Sequence, residues 1–144
     1  HWSRRRQRQM CIRDRFIGGV LATDNNTPSI GIGADGSTLM RLGEFETINR
    51  SKIKWPLVII NDGALGTMKY RQGFRGYEDY GLDLTLVDFA ETAKSCGLNG
   101  EKVDNPEEFK NALNKSLNSD KTFVIDARID PDAYQDNFGG TIGD

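Results

Sequence analysis

The chain has 144 residues, with 19 Lys and Arg against 21 Asp and Glu, a length that suits one domain with a real core. Its only histidine is His1 and its cysteines are Cys11 and Cys96. The body therefore has no Ser-His-Asp triad, Cys-His pair, zinc centre or disulfide framework. No apolar run approaches the ~20 residues of a membrane helix and no segment has a secretory layout, so the expectation is a cytoplasmic protein with no membrane partner.

Charge divides the chain. Residues 1–15 (HWSRRRQRQMCIRDR) hold six Arg and one Asp, net +5, which leaves 13 cations against 20 anions, net −7, in residues 16–144. The arginine cluster could be a nucleic-acid patch. However, QRQMCIRDR resembles a conceptual translation of sequencing-adapter DNA, and it has no apolar periodicity. Residues 1–15 are therefore read as a disordered artefact, and residues 16–144 as the domain, truncated at its amino-terminal edge.

Within the body, Phe16–Thr23 reads as a helix end closed by the turn-rich Asp24–Pro28, and Ser29–Gly33 as a short strand. Leu39, Leu42, Phe45 and Ile48 predict a helix from near Thr38. Leu57–Ile60 (LVII) is a continuously apolar strand of the kind buried on both faces of a parallel sheet. Leu86, Phe89, Ala90 and Ala93 share a helical face that Gly97 terminates. Asn105-Pro106 opens a helix bearing Phe109, Leu113 and Leu117, and Thr122–Ala127 is a further strand. The Gly-rich tail after Asn137 reads as loose. The fold class is α/β: an open, mostly parallel sheet with helices on both faces.

Ligands of such sheets bind beyond the carboxyl ends of the strands. Two strand ends carry unusual chemistry: Gly31-Ile32-Gly33-Ala34-Asp35-Gly36-Ser37 and Ile60-Asn61-Asp62-Gly63-Ala64-Leu65-Gly66. In a parallel sheet both loops lie on one edge, bringing Asp35 near Asp62. Glycine-lined backbone N–H groups attract an anion, and an aspartate there repels a diphosphate unless a hard cation is shared between them. Mg²⁺ takes one or two carboxylates plus phosphate oxygens, so the pattern points to Mg²⁺ with a diphosphate. The same residues also match G-x-G-x-x-G with an acid ending the next strand, the pattern of an NAD-type dinucleotide site. The strand before it is short and interrupted by Pro28, and Asp35 would face the pyrophosphate unmasked. A third reading makes both loops plain turns of a non-catalytic α/β interaction module.

Ala34-Asp35-Gly36-Ser37, 24 residues (37–60), and Asn61-Asp62 resemble the thiamine-diphosphate motif of Gly-Asp-Gly, a spacer of this length and Asn-Asn. FIGGVLATDNNTPSIGIGADGS, ALGTMKYRQ, LVDFAETAKSCG, VDNPEEFKNAL and TFVIDARIDPDAY follow the order of elements in the carboxy-terminal pyrophosphate-binding domain of thiamine-diphosphate enzymes, most closely the acetolactate-synthase-like branch. The resemblance implies the thiamine-diphosphate-binding fold and the cofactors thiamine diphosphate and Mg²⁺. It implies Asp35, Asp62 and the Ala64 carbonyl as metal ligands, with Gly36, Ser37, Asn61, Leu65 and Gly66 also at the cofactor. Ala34 departs from the first Gly of the motif and Asp62 from its second Asn, which adds a negative charge. The parent would be a lyase or transferase, decarboxylating a 2-oxo-acid substrate or ligating the intermediate, as a homodimer or homotetramer. The resemblance implies that the glutamate that activates the cofactor belongs to a separate amino-terminal domain, outside this sequence. No catalytic residue is assigned, and the fragment alone is expected to be inactive.

Lys69, Tyr70, Arg71, Phe74, Arg75 and Tyr77 interleave cations and aromatics. In a body of net −7 they read as a helix with a solvated outer face, with no nucleic-acid partner expected. Cys96 reads as a core thiol.

Overall fold

The computed structural model describes residues 12–131. Residues 1–11 and the tail after Asn137 lie outside that range. In chain order the elements are α1 (Ile12–Leu21), β1 (Gly31–Ala34), α2 (Asp35–Leu39), α3 (Glu44–Arg50), β2 (Leu57–Asn61), α4 (Gly66–Phe74), α5 (Phe89–Ser95), β3 (Asn99–Val103), α6 (Pro106–Leu117) and β4 (Phe123–Arg128). The strands form one sheet in the order β1-β2-β4-β3, and every pairing is parallel.

Alternation along the strands divides the core in two. On one face Leu57, Ile59 and Val124 pack with Phe16, Ile17 and Val20 of α1, Phe45 and Ile48 of α3, and Phe89 and Ala93 of α5. On the other, Val58, Ile125, Ala127 and Val103 pack with Ala112, Phe109 and Leu113 of α6. Burial of each large side chain contributes about 1.5–3 kcal/mol, so both helical layers are held by the central pair β2 and β4. That pair is the LVII and TFVIDA segments, whose apolar runs suit strands covered on both faces.

Several boundaries differ from the sequence reading for physical reasons. The helix expected to end at Thr23 begins at Ile12, so residues 12–15 are helical rather than disordered and the boundary at residue 16 falls inside α1. Arg13 is buried there, and its Nη2 donates to the Ser37 carbonyl. The helix expected from Thr38 is two, α2 and α3, separated at residues 40–43. Its apolar positions recur strictly every third residue. The backbone follows with i to i−3 bonds from Arg41 N to Thr38 O, Glu44 N to Arg41 O and Phe45 N to Leu42 O, which suits three residues per turn better than 3.6.

Leu86 does not share the face of Phe89, Ala90 and Ala93. Asp88 caps α5 by accepting from Glu91 N at 2.9 Å, and this leaves Leu86 outside the helix and exposed. Gly97 ends α5 at φ +81° as expected. On α6 the covered stripe is Phe109, Ala112, Leu113 and Ser116, while Leu117 is exposed. Strand β3 (NGEKV) was missed: it is an edge strand with Val103 its one buried residue, so it lacks the apolar signature of a central strand.

Candidate functional site

β1 and β2 are adjacent and parallel, with Ala34 opposite Ile60. Their carboxyl ends therefore deliver Asp35 and Asp62 to one place, as the sequence suggested. Asp35 is buried, and its carboxylate bridges the two loops: Oδ1 accepts from Gly36 N at 2.6 Å and Oδ2 from Gly63 N at 2.9 Å. Gly63 has φ +66°, a left-handed turn that glycine adopts at little cost and that aims its N–H back at Asp35. Asp62 Oδ1 accepts from Ala64 N at 3.1 Å. The loop is backed by residues 82–84 in a short antiparallel bridge, with Leu84 N donating to Gly63 O and Leu65 N to Leu82 O, each at 2.7 Å.

Between the loops lies a cleft of about 180 Å³ lined by Ala34, Asp35, Gly36, Ser37, Asp62, Ala64, Leu65, Gly66, Thr67 and Met68. It is smaller than the roughly 300–1,000 Å³ that encloses a drug-sized molecule, so it suits one end of a ligand. A Cβ on Gly36 would stand 2.9 Å from Leu65 Cδ2 across the cleft, so a larger residue there requires the Leu65 side chain to shift. Burial pushes the Asp35 carboxyl above its usual range. The Gly36 N–H opposes that shift, and the negative charge of neighbouring Asp62 adds to it. Two carboxylates pressed together in a part-desolvated cleft are a cost that a cation between them relieves.

Seven of the eight sequence-predicted positions line this cleft; Asn61 does not. Its side chain is buried and turns inward, donating from Nδ2 to Asp126 Oδ1 and to the Val87 carbonyl. The Leu65 N–H is committed to Leu82, so Leu65 contributes a wall and not a donor. Thr67 and Met68, missed in the sequence, line the cleft from the first turn of α4. That turn has no side-chain cap and no acidic residue, and an uncapped helix start attracts an anion. The missing acid in Gly66-Thr67-Met68 was the signal available.

Among the described residues no group of three or more His, Cys, Asp or Glu is placed to hold a metal. The acidic side chains lining the cleft are the two carboxylates Asp35 and Asp62. Two carboxylates are the kind of protein ligand that a hard cation shares with phosphate oxygens. The backing bridge uses Gly63 O and Leu65 N on either side of Ala64.

The profile "Thiamine pyrophosphate enzyme, C-terminal TPP binding domain" matches residues 16–127. The chain belongs to that family. This thiamine pyrophosphate-binding domain is 34% identical over 116 residues to the sulfopyruvate decarboxylase subunit beta of Methanocaldococcus jannaschii, covering 80% of this chain and 57% of that one. It is 28% identical over 117 residues to the acetolactate synthase isozyme 2 large subunit of Escherichia coli, covering 79% and 21% respectively. Among solved structures it is similar to a thiamine diphosphate-dependent 4-hydroxybenzoylformate decarboxylase of Rhodococcus jostii RHA1, with a TM-score of 0.73 and 27% identity, covering 80% of this chain and 22% of that one. The chain thus spans about a fifth of the longer relatives. No helix among the described residues is long and apolar enough to cross a membrane.

Proposed function

We propose that the cleft binds the diphosphate of thiamine diphosphate through Mg²⁺, with Asp35, Asp62 and the Ala64 carbonyl as protein ligands. The observation that carries this reading is the Asp35 bridge: one buried carboxylate between the N–H groups of Gly36 in α2 and Gly63 in the facing turn, beside a second carboxylate and an uncapped helix start. Gly36, Ser37, Gly66, Thr67 and Met68 line the space for the phosphates. The bound cofactor supplies the chemistry of carbanion stabilisation, and this chain's residues fix where it sits. Asp62, where the family motif has Asn, retains an oxygen ligand and adds charge, so the site depends more strongly on its cation.

We infer further that the parent acts on a 2-oxo acid, as the sulfopyruvate and 4-hydroxybenzoylformate decarboxylases among the similar proteins do by name. Activity then requires other domains or a partner chain, and the fragment alone is inactive. Ile30 and Ile32 beside and on the edge strand, Met68 at the cleft, and Phe74, Tyr77, Tyr80 and Leu86 are exposed, which accords with surfaces that neighbouring domains cover. The beta-subunit relative supports a variant in which the domain works as a separate subunit. The test is Mn²⁺ binding by paramagnetic resonance in the presence of thiamine diphosphate. Asp35→Ala and Asp62→Ala should each abolish tight binding, and unchanged binding in both variants would remove the cleft from the account.

A further inference from the structure

Behind the cleft lies a buried polar cluster that the proposed cation chemistry does not use. On the α1/α3/α5 face of the sheet, the apolar series Leu57 and Ile59 ends at Asn61, and Val124 gives way to Asp126 and Arg128. Parallel register sets Ile59 opposite Asp126 and Asn61 opposite Arg128. Asp126 is fully buried at 0% exposure and Asn61 is 1% exposed. Asp126 Oδ1 accepts from Asn61 Nδ2 at 2.8 Å. Its Oδ2 accepts from Phe89 N at 3.0 Å and from Arg128 Nη2 at 2.9 Å. Asn61 Nδ2 and Arg128 Nη2 both also donate to the Val87 carbonyl, at 3.0 and 2.9 Å.

Stability alone does not explain this cluster. A buried ion pair rarely outperforms apolar side chains of similar volume, and here Asn61 Oδ1 and Arg128 Nε are buried with no hydrogen-bond partner among the described residues. What the cluster does is geometric. Through Asn61 it grips the residue immediately before Asp62. Through Val87 and Phe89 it grips the end of the 82–88 segment, whose Leu82 and Leu84 form the backing bridge to Leu65 and Gly63. One carboxylate on β4 therefore holds both supports of the Asp62-Gly63-Ala64 turn while contacting none of its three residues.

The geometry points to Asp126 as the positioning residue of the cation loop, with Asn61 and Arg128 as its two arms. This assignment rests on the cation–diphosphate reading of the cleft. Because polar groups behind metal ligands typically set 10–100-fold of metal affinity, the cluster should control how tightly the loop holds its cation.

The test is Mn²⁺ titration of the full chain in the presence of thiamine diphosphate, read by paramagnetic resonance, together with amide exchange at residues 63–65 and 84. Asp126→Asn keeps the shape but sets an amide donor against donors it now accepts from. It should raise the Mn²⁺ dissociation constant roughly 10–100-fold and speed exchange at those amides ahead of the rest of the sheet. Val103→Ala, a core truncation under α6, should lower stability without moving either readout. Should Asp126→Asn fail to fold, Asn61→Ser cuts one arm alone and is expected to weaken Mn²⁺ in the same direction. Wild-type affinity in the folded Asp126 or Asn61 variant, or equal weakening by Val103→Ala, overturns the positioning role and leaves the cleft reading intact. Absence of Mn²⁺ binding by the wild-type chain overturns both.

Discussion

Gly63→Ala probes the clamp between the two loops. Alanine at φ +66° costs about 1–2 kcal/mol in the left-handed region. The new Cβ would lie 2.9 Å from Leu86 Cδ1, but Leu86 is exposed and its side chain can swing away, which adds little. The turn can escape the strain only by relaxing, and then the Gly63 N–H leaves Asp35 and the Gly63 carbonyl leaves Leu84. A bond to a charged acceptor contributes about 1.5–3 kcal/mol and a neutral one about 0.5–1.5, together more than the strain. The turn should therefore hold, and the variant should lose about 1–2 kcal/mol, roughly 3–10 °C in Tm, while Mn²⁺ binding falls less than about tenfold. Gly76→Ala, at φ +70° with open space around its Cβ, reports the backbone penalty alone and should cost no more. In an Asp35→Ala background the clamp is gone, so Gly63→Ala should become cheaper by about 1 kcal/mol, a coupling that a double-mutant cycle resolves. Thermal unfolding of the four chains measures it. Additive losses, or collapse of Mn²⁺ binding in Gly63→Ala at unchanged stability, would refute the reasoning.

In cation-free buffer, the raised Asp35 carboxyl contributes stability that is complete below its ordinary value of 3.8 and is lost as pH rises through the folded-state value. Asp62→Asn removes the neighbouring charge, so Tm measured across that window should fall less steeply than in wild type; identical slopes would mean the two carboxylates do not interact. Phe45→Ala empties a fully buried position and should cost about 3–5 kcal/mol in urea unfolding, whereas a loss under 1 kcal/mol would show that α3 is not packed as described. Asn105 caps α6 by accepting from Glu108 N at 2.9 Å, and Glu108 reaches back to Asp104 N at 3.0 Å. Asn105→Ala should cost about 1 kcal/mol by the same assay, and no loss would deny the cap its role.

The central strands were legible because LVII and TFVIDA are apolar enough to be covered on both faces, and the approach of Asp35 to Asp62 followed once their parallel neighbours were assumed. The helix starts at Asn105-Pro106 and the stop at Gly97 were legible as local backbone chemistry. β3 was not, because an edge strand with one buried residue has no distinguishing pattern. The split between α2 and α3 was hidden in a three-residue spacing that a helix template accepts. The inward turn of Asn61, away from the cleft, was not legible because a motif gives residue type and position but not which side of the strand it faces. Its neighbour Ile60 packs near α6, so Asn61 turns to the opposite face, where Asp126 waits 65 residues along the chain. No local signal reports a contact at that separation.

The central claim is that this cleft takes a cation and a diphosphate together. Calorimetric titration of the full chain with thiamine diphosphate, with Mg²⁺ and then with a chelator, tests it most directly, with NAD⁺ and unphosphorylated thiamine as comparators. Heat is expected only when thiamine diphosphate and Mg²⁺ are both present, and none from thiamine or NAD⁺. Metal-independent binding of NAD⁺, or binding of thiamine diphosphate unaffected by the chelator, would contradict it.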